Sequence, residues 1–375
     1  MSSQILVTRS SMPPLEEYIE EITPLWESHW LTNMGIKHKE FEQALKDKLR
    51  IDNLALFTNG HNALECILEA LDLHGEVITT PFTFASTAHA IVRKGLVPVF
   101  ADIRKDDLTL DPTFIEKMVT PHTCAILPVH VYGNLCDVDA IQNIADKYGL
   151  KVIYDAAHAF GVERRNRSTG EWESAAVYGD ATMFSFHATK VFNTIEGGCV
   201  CFKDSRLYDL LNQWKNFGIT GPENIEYVGT NAKMNEFCAA MGLCNLRHLD
   251  EEVTKRKVIS ETYWNYLEGI SGITLIKPDQ DIHYNYAYLP ILIDHERFGM
   301  TRNDLFTQLE SKGICARKYF YPLVSDLECY NSIYSSERTP IAKRAATQVL
   351  TLPLYAELDL KAVELICRTI ISCKC

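Results

Sequence analysis

The chain is constrained most by residues 151–202, where short apolar runs end in polar side chains. Val152-Ile153-Tyr154 leads into Asp155, and Ala181-Thr182-Met183-Phe184 leads into Ser185. A third run, Cys199-Val200-Cys201-Phe202, follows Glu196-Gly197-Gly198. Runs this short, bounded by turn residues, read as buried strands.

The same rhythm extends to either side. Leu54-Ala55-Leu56-Phe57 is strand-like and breaks at Thr58-Asn59-Gly60. A helix follows from His61, with Leu64, Ile67, Leu68 and Leu71 as its apolar stripe. Strands are expected over 76–80, 96–102 and 125–130, with helices over 85–94 and 139–148. Strands alternating with helices imply the α/β class, with a mostly parallel mixed sheet in a large domain. Its functional groups belong at the carboxyl ends of the strands.

Upstream, residues 1–34 form an entry segment with a helical run over 15–26. Phe41, Leu45 and Leu49 then place a helix over 39–49. Downstream, a helix over 204–215 and a loop over 216–229 precede a long helical pattern from 232 to about 267, expected to bend near Arg247. The remainder reads as strand 287–293, helix 301–312, strand 314–318 and helices over 341–350 and 360–371. The expected division is a large domain over 1–245 and a smaller α+β domain over 246–375, with no internal repeat.

Composition narrows the partners. Of 375 residues, 46% are hydrophobic, enough for two cores. The net charge of −12 argues against nucleic acid as the main partner. Met1-Ser2-Ser3-Gln4 does not open a signal peptide, and no apolar run reaches the roughly 20 residues a bilayer span needs. The 12 cysteines contain no Cys-x-x-Cys; Cys199/Cys201 and Cys373/Cys375 are one residue apart, and no zinc ligand spacing occurs. A cytoplasmic protein with reduced thiols and no bound metal is expected.

Asp155-Ala156-Ala157-His158-Ala159, Phe184-Ser185-Phe186-His187-Ala188-Thr189-Lys190 and Glu196-Gly197-Gly198 together resemble the DegT-like sugar aminotransferases. These are fold-type-I pyridoxal phosphate enzymes. The resemblance runs from about Gly35 to about Leu246 and more faintly to the C-terminus. It implies that Lys190 forms the Schiff base with pyridoxal 5'-phosphate and that Asp155 keeps the ring nitrogen protonated. The plain structural alternatives are a solvated lysine and a helix-capping aspartate.

Further roles follow from the same likeness. Gly60 and His61 begin the helix that holds the phosphate, and Ser185 also contacts it. The family usually has Thr or Ser where His61 stands. Phe84 stacks on the ring, and His158 bonds its phenolic oxygen. Asn231, in Gly229-Thr230-Asn231-Ala232-Lys233-Met234, reaches the partner subunit's site, with Lys233 replacing the usual Arg. The competing readings are a core Phe84, a satisfied core His158 and a Ser185 hydroxyl bonded to backbone. Arg164, Arg165 and Arg167, within 163–174, form either a surface turn or a diphosphate contact.

The implied reaction is transfer of an amino group from L-glutamate to a nucleotide-linked keto sugar, in a homodimer with shared sites. The wording around Lys190 resembles the branch that aminates C4 of dTDP-4-keto-6-deoxyglucose. Three alternatives stay open: amination at C3, a pyridoxal phosphate-dependent sugar dehydratase, and a non-catalytic regulator on the same fold.

Overall fold

A computed structural model of the chain describes residues 4–374. Met1 to Ser3 and Cys375, and the readings that fall on them, lie outside the described residues. The entry segment folds as α1 (Leu15–Ile22) and α2 (Pro24–Ser28), so the expected helical run is split at Thr23-Pro24. Proline has no amide to continue the ladder and opens a new helix instead. Then α3 (Ile36–Leu49) buries Phe41, Leu45 and Leu49 on one face, as their spacing requires.

Strand β1 (Leu54–Phe57), helix α4 (Gly60–Ala70), β2 (Glu76–Thr79), α5 (Ala85–Arg93) and β3 (Val97–Phe100) follow in order. Next come α6 (Pro112–Met118), β4 (Thr123–Ile126), α7 (Val138–Tyr148) and β5 (Lys151–Asp155). A hairpin of β6 (Glu163–Arg165) and β7 (Trp172–Ser174) precedes β8 (Ala181–Ser185) and β9 (Gly198–Phe202). Seven strands form one sheet in the order β1-β9-β8-β5-β4-β2-β3. Strands β3, β2, β4, β5 and β8 run parallel, while β9 is antiparallel to both β8 and β1. The mostly parallel mixed sheet is therefore present.

Two departures belong to this half. Strand β4 ends at Ile126 rather than at His130, because the chain leaves the ladder there and turns toward the carboxyl end of β5. The basic stretch 163–174 is not a free turn. Its strands pair with each other and with β13 (Ile282–His283), and Arg164 makes a two-pronged bond to Asp139 at 2.7 and 2.9 Å.

Helix α8 (Leu207–Trp214) and a small hairpin, β10 (Ile219–Gly221) with β11 (Asn224–Ile225), lead to α9 (Glu236–Leu267). This helix has 32 residues and continues as one element through Arg247. It starts at Glu236 rather than at Ala232, because Asn235 caps it. The buried Glu236 carboxylate accepts from the amides of Gly35 (3.0 Å) and Lys37 (2.7 Å), tying the first turns of α9 and α3 together. The two helices approach closely: a Cβ added at Gly242 would lie 2.6 Å from the Phe41 ring. Phe41 is fully buried, so its truncation to Ala costs about 3–5 kcal/mol.

Beyond α9, β12 (Ile273–Leu275), β14 (Leu289–Ile293) and β15 (Val349–Leu352) form a three-stranded antiparallel sheet. It packs with α9, α11 (Arg302–Ser311) and α13 (Leu360–Ser372) around Leu289, Ile291, Leu305, Leu350 and Ile366. The short α10 (His295–Phe298) and α12 (Pro340–Gln348) complete this part. Residues 314–318 are not a strand; Ile314 and Arg317 make only single bridges, to Ile5 and Thr351. Val349 and Leu350 belong to β15, not to the preceding helix. Among the described residues no helix is long and apolar enough to cross a membrane, and no cluster of His, Cys, Asp and Glu could hold a metal ion.

Candidate active site

A cavity of about 590 Å³ opens at the carboxyl ends of the parallel strands. Asp155 ends β5 and Ser185 ends β8, and register places Asp155 beside Met183. Gly60 begins α4 at the end of β1, and Phe84 caps α5 after β2. Gly60, His61, Phe84, Asp155, His158, Ser185 and Lys190 all line this space. Asn231 does not. It is exposed on the loop before α9, where its Oδ1 accepts from Lys233 Nζ at 2.7 Å.

Asp155 is buried at 5% exposure, and its bonds come from neutral donors. Thr87 Oγ1 donates to one oxygen at 2.7 Å and the Ala157 amide to the other at 3.1 Å. Burial pushes the carboxyl above its ordinary range, against those hydrogen bonds and the Lys190 charge. A cationic N–H on the cavity side relieves that cost.

His158 Nδ1 accepts from the Tyr132 amide at 3.0 Å. That fixes the tautomer: the proton sits on Nε2. Burial, and then the Lys190 charge, hold the imidazole well below its usual range, so it is neutral. Its ring stacks on Phe320 (5.8 Å between centroids) and tilts against Tyr288 (4.6 Å).

The Lys190 amine has the Tyr288 hydroxyl at 3.4 Å. Among the described residues no carboxylate lies within ion-pair distance of it. It therefore carries no structural ion pair that would hold it back from chemistry.

At α4, the Asn59 side chain caps the Asn62 amide at 2.8 Å. The amides of Gly60 and His61 keep no intrahelical acceptor, as in any first helical turn. Backbones crowd here. A Cβ on Gly198 would sit 2.6 Å from Gly60 N, and one on Gly60 2.8 Å from Ser185 Cβ. Ser185 Oγ has no partner among the described residues. The result is a small, positively polarised cradle suited to an anion.

Several residues in or behind this lining escape the sequence reading. Thr87, which holds Asp155, lies one turn into an ordinary-looking helix. Tyr288, Arg317, Tyr319 and Phe320 come from segments more than a hundred residues beyond Asp155, and no local pattern marks them. Arg164, Arg165 and Arg167 are absent from this lining and border a separate cleft with Arg104 and Lys277.

The model of the DegT/DnrJ/EryC1/StrS aminotransferase family matches residues 15–371. The chain belongs to that family. It is 42% identical over 370 residues to the dTDP-4-amino-4,6-dideoxy-D-glucose transaminase of Shigella dysenteriae, covering 99% of each chain. With the enzyme of the same description from Escherichia coli, identity is 41% over 373 residues and 98% of each chain. The crystal structure of DesI in the presence of its TDP-sugar product superposes with a TM-score of 0.93 at 33% identity, covering 100% of this chain and 93% of that one.

Pyridoxal phosphate is the cofactor of this family member. The side chains fit it: a buried carboxylate that lacks a cationic partner, a lysine amine without an ion pair, a neutral Nε2–H donor and an anion cradle surround one cavity. Phe84 stands at its edge, 58% exposed, with its ring 6.4 Å from Tyr319.

Proposed function

We propose that this aminotransferase moves the amino group of L-glutamate to C4 of a nucleotide-linked 4-keto-6-deoxy sugar, giving dTDP-4-amino-4,6-dideoxy-D-glucose and 2-oxoglutarate. The observation that carries the reading is the convergence of Asp155, Lys190 and the first turn of α4 on one cavity. Similarity along nearly the whole chain to two transaminases of that description supports the sugar and the position.

Bound pyridoxal phosphate supplies an aldehyde carbon that exchanges oxygen for an amino group, and a ring that takes up an electron pair when an adjacent C–H bond breaks. Lys190 Nζ holds that carbon between turnovers. Once displaced, it carries the proton from the donor's α-carbon and later delivers one to C4 of the sugar. The Asp155 carboxylate holds the proton on the ring nitrogen, and Thr87 and the Ala157 amide hold Asp155 in place. His158 Nε2–H donates to the phenolic oxygen, with the Tyr132 amide fixing its orientation. The Gly60 and His61 amides and Ser185 Oγ bind the phosphate, and Phe84 covers one ring face.

A homodimer in the cytoplasm completes the proposal. Met12, Leu15, Ile19, Trp26 and Trp30 in the entry segment and Ile36 at the start of α3 are all exposed, and a second copy is the partner that would cover them. Asn231 then serves the neighbouring site, which suits its exposed position outside its own cavity.

The test incubates the protein with L-glutamate and dTDP-, UDP- and GDP-linked 4-keto-6-deoxy sugars, read by mass spectrometry. Turnover of the dTDP sugar is expected, with NMR placing nitrogen on C4. Nitrogen on C3, or loss of water without amination, would refute the assignment.

A further inference from the structure

His61, in the first turn of α4, brings an imidazole and no hydroxyl to the cavity, so a side-chain hydroxyl for a phosphate seated there must come from elsewhere. The structure contains a replacement. His61 Nδ1 lies 2.8 Å from Ser86 Oγ, on the second residue of α5. Its Nε2 lies 3.3 Å from Glu65 Oε1, one turn along α4. Glu65 is buried at 7% exposure and also pairs with Arg93. Both His61 and Ser86 line the cavity beside Gly60 and Asn59.

Proton positions follow from donor chemistry. When Nδ1 accepts from Ser86, the ring hydrogen sits on Nε2, the side nearer the Glu65 carboxylate. Nδ1 then has two states. In the neutral ring it accepts the Ser86 hydroxyl proton, which turns that proton away from the cavity. In the imidazolium it donates to Ser86 Oγ, and the hydroxyl proton is free to point into the cavity. A phosphate at the start of α4 accepts that proton and stabilises the ring's charge, as Glu65 does from the other side.

We propose that Glu65, His61 and Ser86 form a relay that presents the Ser86 hydroxyl to the cofactor phosphate. Ser86 is the contact residue; His61 and Glu65 are positioning residues. The proposal rests on seating the phosphate at the first turn of α4.

The experiment measures dissociation constants of the full chain, stripped of cofactor, for pyridoxal phosphate and for pyridoxal, which lacks the phosphate. Ser86→Ala should weaken pyridoxal phosphate binding at least about tenfold, the effect of one hydrogen bond to a charged group, and leave pyridoxal within about twofold. His61→Ala should do the same. The double variant should be no weaker than either single, because both changes break one chain. The combination His61→Thr with Ser86→Ala should recover most of the affinity by placing a hydroxyl directly on α4, which a folding defect would not allow. Additive losses, equal losses for pyridoxal, or no recovery with threonine would overturn the relay. A wild-type protein that does not prefer the phosphorylated ligand would instead overturn the phosphate seat itself.

Discussion

Acid should destabilise this protein through buried histidines, and the effect of one can be isolated. His130 is fully buried after β4, its Nδ1 accepting from the Cys136 amide at 3.1 Å and its ring stacked on Tyr154 at 4.6 Å. Its Nε2 has no partner among the described residues, and burial pushes its pKa down to about 3. His38 on α3 is pushed to about 3 as well, by burial first and then by the Lys215 and Lys39 charges. In the unfolded chain both titrate near pH 6.5. Between pH 6.5 and pH 3 the unfolded state therefore binds a proton that the folded state refuses. Stability is full above about pH 6.5 and falls by about 1.4 kcal/mol per pH unit for each histidine as pH drops. At pH 5 that is about 2 kcal/mol each. His130→Asn keeps an acceptor for the Cys136 amide and removes the titration. Packing loss lowers its stability at every pH, and the carboxylates that titrate in the same range are shared with the wild type. The difference in slope thus reports His130 alone. Urea unfolding of the cofactor-free chain at half-unit steps from pH 7.5 to 5 should show no difference in slope above about pH 6.5 and, below it, a wild-type slope steeper by about 1.4 kcal/mol per unit. Parallel curves would refute a neutral, buried His130.

Three further outcomes test the site. Lys190→Ala should fold, retain cofactor without a covalent link and lose transamination; borohydride reduction of the wild type followed by peptide mapping should label Lys190 and no other lysine. Asp155→Asn should keep cofactor yet lose about a hundredfold or more in kcat, since an amide reaches the ring nitrogen without holding its proton; near wild-type turnover would make Asp155 merely structural. Mixed dimers of Lys190→Ala and Asn231→Ala chains should recover up to about a quarter of wild-type activity, because random pairing makes half the dimers hybrid and each hybrid has one intact site. No recovery in verified hybrids would place Asn231 outside the neighbouring site.

The parallel strands were legible because each is a short apolar run closed by a turn residue, and Leu54–Phe57 and Lys151–Asp155 fall where that pattern puts them. The errors cluster where pairing over long distance decides. Val349-Leu350 continues a helical stripe locally, yet both residues lie on β15 because β14 offers an open edge to pair with. Ile314 to Lys318 has strand composition but only isolated bridges on offer. The arginine-rich stretch became a hairpin because Asp139 and β13, far apart in sequence, meet it. Among the cavity residues, Asp155 and Ser185 could be read because strand ends carry them, and Lys190 because it closes the Phe184-to-Lys190 wording just after β8. Thr87 and Tyr288 could not, since their roles exist only once the sheet and the C-terminal segment come together.

The energetic shape of the site also explains why its residues tolerate an arrangement that would be poor in a structural core. A buried carboxylate held by a hydroxyl and an amide costs stability unless a cation joins it, and Asp155 has only those two neutral donors. Lys190 could have been that cation, yet its amine rests near Tyr288 instead of forming an ion pair. A direct Lys190–Asp155 pair would satisfy both charges and thereby oppose every step that requires the amine to leave. Holding the two apart, Asp155 at the end of β5 and Lys190 in the turn after β8, keeps each incomplete, and a ligand with a protonated ring nitrogen and an aldehyde would complete both at once. Its binding energy then appears as folding stability that grows with the logarithm of its concentration over its dissociation constant. The same separation leaves Asp155 held by its two donors and the Lys190 amine free of any ion pair, the arrangement that the proposed proton transfers at two different substrates would require.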